Sequence, residues 1–167
     1  MSIYLYKMTR SLMRSFFQEF AYDPDTFHDS ETCDDYHCSQ AAADAFYDKH
    51  NRSDRVHFAI MQGNTVIGDL YLKNINQQSK NCTLSIHMKN DSVKNKGYGS
   101  CAEYLALNYA FDELGLETVN ADALIKNKRS RHVLEKVGFL QVGSDEKTAY
   151  YSCEKSNWSK QKATTID

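Results

Sequence analysis

Apolar and polar positions recur along this chain with two different periods, and the places where the period changes mark out its elements. Ile3 and Leu5 interleave with Tyr4 and Tyr6 in a short β-prone run. Behind Thr9, a natural cap, Leu12, Met13, Phe16, Phe17 and Phe20 follow at helical spacing. The pattern dissolves around the only proline, Pro24, and resumes at 39–47 as a second short helix with Ala41, Ala42, Ala45 and Phe46. Val56 to Met61 and Thr65 to Leu72 read as a hairpin closed by Gln62-Gly63-Asn64. Beyond a polar loop at 74–81, a third antiparallel strand at 82–88 carries Leu84, Ile86 and Met88 on one face and Thr83, Ser85 and His87 on the other.

Lys94-Asn95-Lys96-Gly97-Tyr98-Gly99-Ser100 opens the longest apolar helix, with Ala102, Leu105, Ala106, Tyr109 and Ala110 on one face. Tyr104, Leu107 and Phe111 widen that face, so the helix packs on more than one side. A strand at 118–124, a helix at 130–136 closed by Gly138, and a hairpin of 139–142 with 148–153 complete the pattern. The reading predicts one domain over 1–155 and a polar tail over 156–167.

Composition narrows the classes. A chain of 167 residues with 41% hydrophobic and 25% charged residues buries a core as one soluble domain. A net charge of -2 and a pI near 6.3 argue against general nucleic-acid binding. The first residues carry no apolar run with a cleavage site, and no segment reaches membrane-span length, so a cytoplasmic protein with no membrane partner is expected. Five cysteines (Cys33, Cys38, Cys82, Cys101, Cys153), odd in number and without a Cys-x-x-Cys pair, fit reduced thiols used for packing. Asp23, Asp25, Asp29, Glu31, Asp34 and Asp35 crowd one loop, either a solvated surface or an acidic rim for a cationic substrate. Cys33, Asp34, His37 and Cys38 match no zinc spacing, and no metal is expected.

The candidate chemistry centres on 94–100. Two glycines one residue apart permit a tight turn and close approach of a ligand, Ser100 can help cap the following helix, and Lys94 and Lys96 flank it. A helix N-terminus presents unpaired N–H donors and partial positive charge, so the loop suits a phosphate. Gly97-x-Gly99-x-x-Ala102 also meets a relaxed dinucleotide fingerprint, but it follows antiparallel strands with little chain left after it.

Thirty residues after Gly97 comes Asn127-Lys128-Arg129-Ser130-Arg131-His132-Val133-Leu134-Glu135-Lys136-Val137-Gly138-Phe139. This pair of motifs resembles the GNAT superfamily of acetyl-CoA-dependent N-acetyltransferases, more narrowly the branch of ribosomal-protein N-terminal and polyamine acetyltransferases. The resemblance implies an α/β (α+β) fold: one GNAT-like domain with a mixed, mostly antiparallel sheet of six to seven strands, about four helices, and splayed strands at 82–88 and 118–124. It implies acetyl-CoA as donor and no metal. The pyrophosphate would meet Lys94, Asn95, Lys96, Gly97, Tyr98, Gly99 and Ser100, the pantetheine arm would pair with Ile86, His87 and Met88, and Asn127 and Ser130 would lie beside it. Relatives are often dimers, so a homodimer is expected.

The implied reaction is direct attack of an amine on the thioester, the acceptor being a polyamine-like molecule or a protein N-terminus. A primary alkyl amine has a pKa near ~10, so a base must take its proton. The oxyanion needs a donor, assigned by the resemblance to the backbone N–H near Met88. Many relatives carry a glutamate where this chain has Thr83, and 75–90 contains no Asp or Glu. His87 is the nearest titratable substitute; the plain alternative is a packed or exposed histidine. The tyrosine that many relatives use to protonate the leaving thiolate is Leu134 here, which leaves the Ser130 hydroxyl to assist. These departures keep a second class open, a catalytically weak acyl-CoA-binding module acting as a sensor or interaction domain.

Overall fold

Thr9 and Ser39 each turn a hydroxyl onto an amide three residues ahead, accepting from the N–H groups of Leu12 (3.2 Å) and Ala42 (3.0 Å). These caps start α1 (Arg10–Glu19) and α2 (Gln40–His50). The computed structural model describes residues 2–26 and 39–158. Asp29, Glu31, Asp34 and Asp35 of the acidic loop, together with Cys33, His37 and Cys38, lie outside the described residues. The remaining strands and α-helices are β1 (Tyr4–Lys7), β2 (Val56–Gln62), β3 (Thr65–Asn76), β4 (Asn81–Met88), α3 (Tyr98–Asn108), β5 (Thr118–Leu124), α4 (Lys128–Val137), β6 (Leu140–Ser144) and β7 (Thr148–Glu154). A π-helical turn, Tyr109–Glu113, extends α3.

One seven-stranded sheet runs in the order β1-β2-β3-β4-β5-β7-β6. The β4–β5 contact is parallel and every other pairing antiparallel, as expected of a mixed sheet. Strand alternation sends side chains to both faces, and each face has its own core. On one, Met13, Phe16, Phe17 and Phe20 from the α1 segment and Ala43 of α2 cover Ala59, Met61 and Val66. On the other, Ala102, Ala106, Leu107, Ala110 and Phe111 join Leu134 and Val137 over Ile60, Leu70, Leu72, Leu84, Val119 and Ala121. Each Leu, Ile, Val, Met or Phe among them, fully buried, contributes about 1.5–3 kcal/mol before entropy is counted, and each alanine less.

Trp158, buried at 4% exposure, packs on Tyr104 and Phe111, so the core reaches past residue 155. Cys82 and Cys153 are buried, and burial pushes their thiols up to about 12 and about 11, which fits a packing role. Cys101 does not: it is exposed on α3. No described helix is long and apolar enough to cross a membrane.

Two features position the site. First, β4 and β5 pair only at Asn81 with Thr118, Cys82 with Val119 and Thr83 with Asn120, and beyond these the strands part. Second, the chain leaving α1 is tied to the end of β4. The buried Lys89 ammonium pairs with Glu19, the Ala21 N–H donates to the Lys89 carbonyl (2.7 Å), and Asn90 Nδ2 donates to the Glu19 carbonyl (3.0 Å). Residues 20–26 are thereby held beside the gap.

Candidate active site

The gap between β4 and β5 opens into a cleft of about 380 Å³. Its two sides follow from strand parity. Tyr71, Ser85 and His87 belong to the sheet face covered by α1 and α2, and Leu84 and Ile86 to the face covered by α3 and α4. Asp122, exposed on β5, shares the first side with Asp23 and Thr26 from the segment after α1, and Glu103, Ser130, Val133 and Leu134 line the second.

Register also fixes where the β4 backbone points. The Lys89 N–H donates to the Ile67 carbonyl (2.9 Å), so Lys89–Ile67 and, two residues back, His87–Asp69 are the hydrogen-bonded pairs of the β3–β4 ladder. Ile86 and Met88 stand opposite Leu70 and Gly68 as the intervening pairs, and their backbone groups turn away from β3 into the gap. A Cβ on Gly68 would meet the His87 carbonyl at 2.7 Å, so only glycine lets β3 lie this close to β4.

His87 has a carboxylate partner. Its Nδ1 lies 3.2 Å from one oxygen of Asp69, whose other oxygen lies 3.0 Å from His57 Nε2. Asp69 is completely buried. Burial alone would push its carboxyl up, but the hydrogen bonds from His57 and His87 outweigh that and hold it below the usual carboxylate range. A carboxylate only accepts, so the nitrogen facing it carries the hydrogen in each ring, and Nε2 of a neutral His87 is the accepting nitrogen. Asp69 is absent from the residues singled out by pattern. The signal was a charge in the middle of Val66-Ile67-Gly68-Asp69-Leu70-Tyr71-Leu72, where every position is buried.

In the loop at 94–100, Gly97 (φ +77°) is the residue that precedes α3, and no side chain caps the helix there. Ser100, a candidate cap in the sequence, lies inside the first turn instead. The first amides of α3 therefore have no capping side chain, and a Cβ on Gly97 or Gly99 would meet nothing within 4 Å. Lys94 is committed elsewhere: its Nζ lies 2.5 Å from Asp23 and 3.1 Å from Asp91, with Arg129 3.8 and 3.9 Å from the same carboxylates. Asn95 and Lys96 are exposed, and the Tyr98 hydroxyl accepts from Gln62 Nε2 (2.6 Å). Of the residues singled out in the sequence, Ile86, His87, Met88, Lys94, Gly99, Asn127 and Ser130 line the cleft; Asn95, Lys96, Gly97, Tyr98 and Ser100 do not.

Asn127 caps α4, its Oδ1 accepting the Ser130 N–H (3.0 Å), while its residue also borders the cleft. Leu134 is buried at 2% exposure and offers no proton. Glu103, also missed, is 1% exposed on α3, and burial pushes its carboxyl up to about 8. It stands four residues after Gly99, on the helix stripe of Ala106, Leu107 and Ala110, which is the pattern that could have revealed it. Among the described residues no group of three or more His, Cys, Asp or Glu is placed to hold a metal.

The family described as acetyltransferase (GNAT) domain matches residues 3–140. A protein of Bacillus subtilis, YdaF, whose name proposes a ribosomal N-acetyltransferase, is 26% identical over 113 residues, 62% of this chain and 61% of that protein, so the match spans about three fifths of each. Among solved structures, a chimera of the spermidine N-acetyltransferase SpeG of Vibrio cholerae with hSSAT superposes with a TM-score of 0.80 at 18% identity, covering 95% of this chain and 99% of that one. Mutant forms of the spermidine/spermine N-acetyltransferase SpeG from Vibrio cholerae give 0.76 at 18% identity, covering 96% and 98%. With most of its length matched, from the first strand to the start of β6, the chain belongs to the acetyltransferase (GNAT) domain family.

Proposed function

We propose that the protein transfers an acetyl group from acetyl-CoA to a primary amine of a cationic acceptor, a polyamine-like molecule or a peptide N-terminus. The observation that carries this reading is the gap between β4 and β5 with His87, backed by the buried Asp69, on its α1/α2 side. The uncapped amides at the start of α3 suit the pyrophosphate, and the outward-turned backbone of Ile86 and Met88 suits an extended arm laid along β4. Acetyl-CoA supplies the thioester. His87 Nε2 takes the proton of the attacking amine, Asp69 keeps the imidazole in the required tautomer, and the Met88 N–H faces the side where negative charge develops. Ser130, which lines the cleft, hydrogen-bonds near the sulfur in this reading. Asp122 puts a carboxylate on the acceptor side, favouring a cation there, while Asp23 is already paired with Lys94. The names of SpeG and YdaF agree with an amine acceptor of one or the other kind.

The test is release of CoA thiol from acetyl-CoA with a panel of spermidine, spermine and short peptides. Wild type turns over at least one amine, and His87→Ala lowers kcat/KM by about 10²–10³-fold. Tight binding of acetyl-CoA with no turnover of any amine would overturn the catalytic reading in favour of a sensor.

A further inference from the structure

Glu103 has no part in the reaction as described, yet it lies on the wall of the same cleft. At 1% exposure its Oε2 has no hydrogen-bond partner. A buried carboxyl without a partner is costly. The raised carboxyl, about 8 through burial alone, is mostly the neutral acid at neutral pH and so carries an O–H to donate.

Its position says to what. Gly99 and Glu103 are four residues apart and lie on one face of α3, about one 5.4 Å turn from each other. Gly99 marks the phosphate end of the cleft. Glu103 is one turn further in, on the α3 side of the gap into which Ile86 and Met88 turn their backbone. One turn is too short a step to carry it from the phosphates to the reacting end at His87. It faces the middle of whatever chain joins them, and in acetyl-CoA that is the amide-bearing part of the pantetheine arm.

We propose that Glu103, as a neutral acid, donates its O–H to an amide carbonyl of the pantetheine arm. The proposal rests on the acetyl-CoA reading above. The other titratable and charged groups of the cleft are Tyr71 and Lys73 from β3, His87 from β4, Asp122 from β5 and Arg129 from α4, with the paired Asp23 and Lys94 at one end. From β1, which also packs on α3, Tyr4, Tyr6 and Lys7 are exposed. All of these are common to wild type and a Glu103 variant, so they cancel in the comparison.

The experiment is calorimetric titration of acetyl-CoA, without acceptor, into wild type, Glu103→Gln and Glu103→Leu between pH 7 and 9. Glu103→Gln, whose amide still donates, binds within about threefold of wild type at pH 7, and Glu103→Leu binds about tenfold more weakly. Relative to Glu103→Gln, wild type loses about tenfold in affinity from pH 7 to 9 as the acid ionises. Thermal unfolding without ligand establishes that both variants are folded. Glu103→Leu binding as tightly as wild type, or a pH dependence shared by wild type and Glu103→Gln, overturns the proposal and leaves the donor reading standing. No binding of acetyl-CoA by folded wild type at any pH overturns both.

Discussion

Asp69 holds two imidazoles with one carboxylate, out of water and one strand away from the cleft. Hydrogen bonds to a charged partner are worth roughly 1.5–3 kcal/mol each, and the loss is larger where a buried donor is left without an acceptor. Asn at this position keeps the shape but offers a single acceptor oxygen, so one of the two ring N–H groups faces an NH₂. Asp69→Asn is expected to lower unfolding free energy by about 2–3 kcal/mol at pH 7, measured by urea denaturation. The sign of its pH dependence follows from a folded-state pKa held below the unfolded value. The advantage of wild type over the variant is full above the ordinary carboxylate range and is lost as pH falls through the folded value. The same variant is expected to lower kcat/KM under conditions where it is fully folded, which a purely structural Asp69 would not do.

At the scale of elements the decisive contact is β3 against β4. Gly68 allows it: an added methyl would stand 2.7 Å from the His87 carbonyl and 2.9 Å from Ile60 Cδ1, and the first of these is backbone and cannot swing aside. Gly68→Ala is therefore expected to cost about 1–3 kcal/mol in stability and to push the His87–Met88 end of β4 away from Asp69. Acetyl transfer would then fall more than affinity for acetyl-CoA; a variant with wild-type stability and turnover would refute the account. Much of this layout was legible beforehand. The alternation in 82–88 put Ser85 and His87 on one face, and Gly138 marked the end of α4 because a cap acts within a few residues of itself. What stayed hidden depends on partners distant in sequence. Asp69 and Glu103 stand out in the sequence only as charges among apolar neighbours, and their surroundings come from the fold: His57 and His87 on the one, the β4–β5 gap beside the other.

For the whole molecule, two buried groups set opposing responses to pH. Burial, with help from the charges of His57 and Arg55, pushes His50 down to about 4, so it folds neutral and costs stability as pH falls below its unfolded value near 6.5. Glu103, pushed up from 4.5 to about 8, also folds neutral, but being an acid it costs stability as pH rises. Between about 4.5 and 6.5 the folded state binds one proton more through Glu103 and less through His50, and the two slopes oppose each other. Above about 6.5 His50 is neutral in both states and only the Glu103 slope remains, up to about 1.4 kcal/mol per pH unit until the carboxyl ionises in the fold. The ligand-free protein is thus expected to lose about 1–2 kcal/mol of unfolding free energy between pH 6.5 and 8, and Glu103→Gln to lose none of that share. Urea titrations of both proteins across this window measure it directly. A wild-type curve parallel to that of Glu103→Gln would mean that the carboxyl is already ionised in the ligand-free fold, with no proton to offer a ligand at neutral pH.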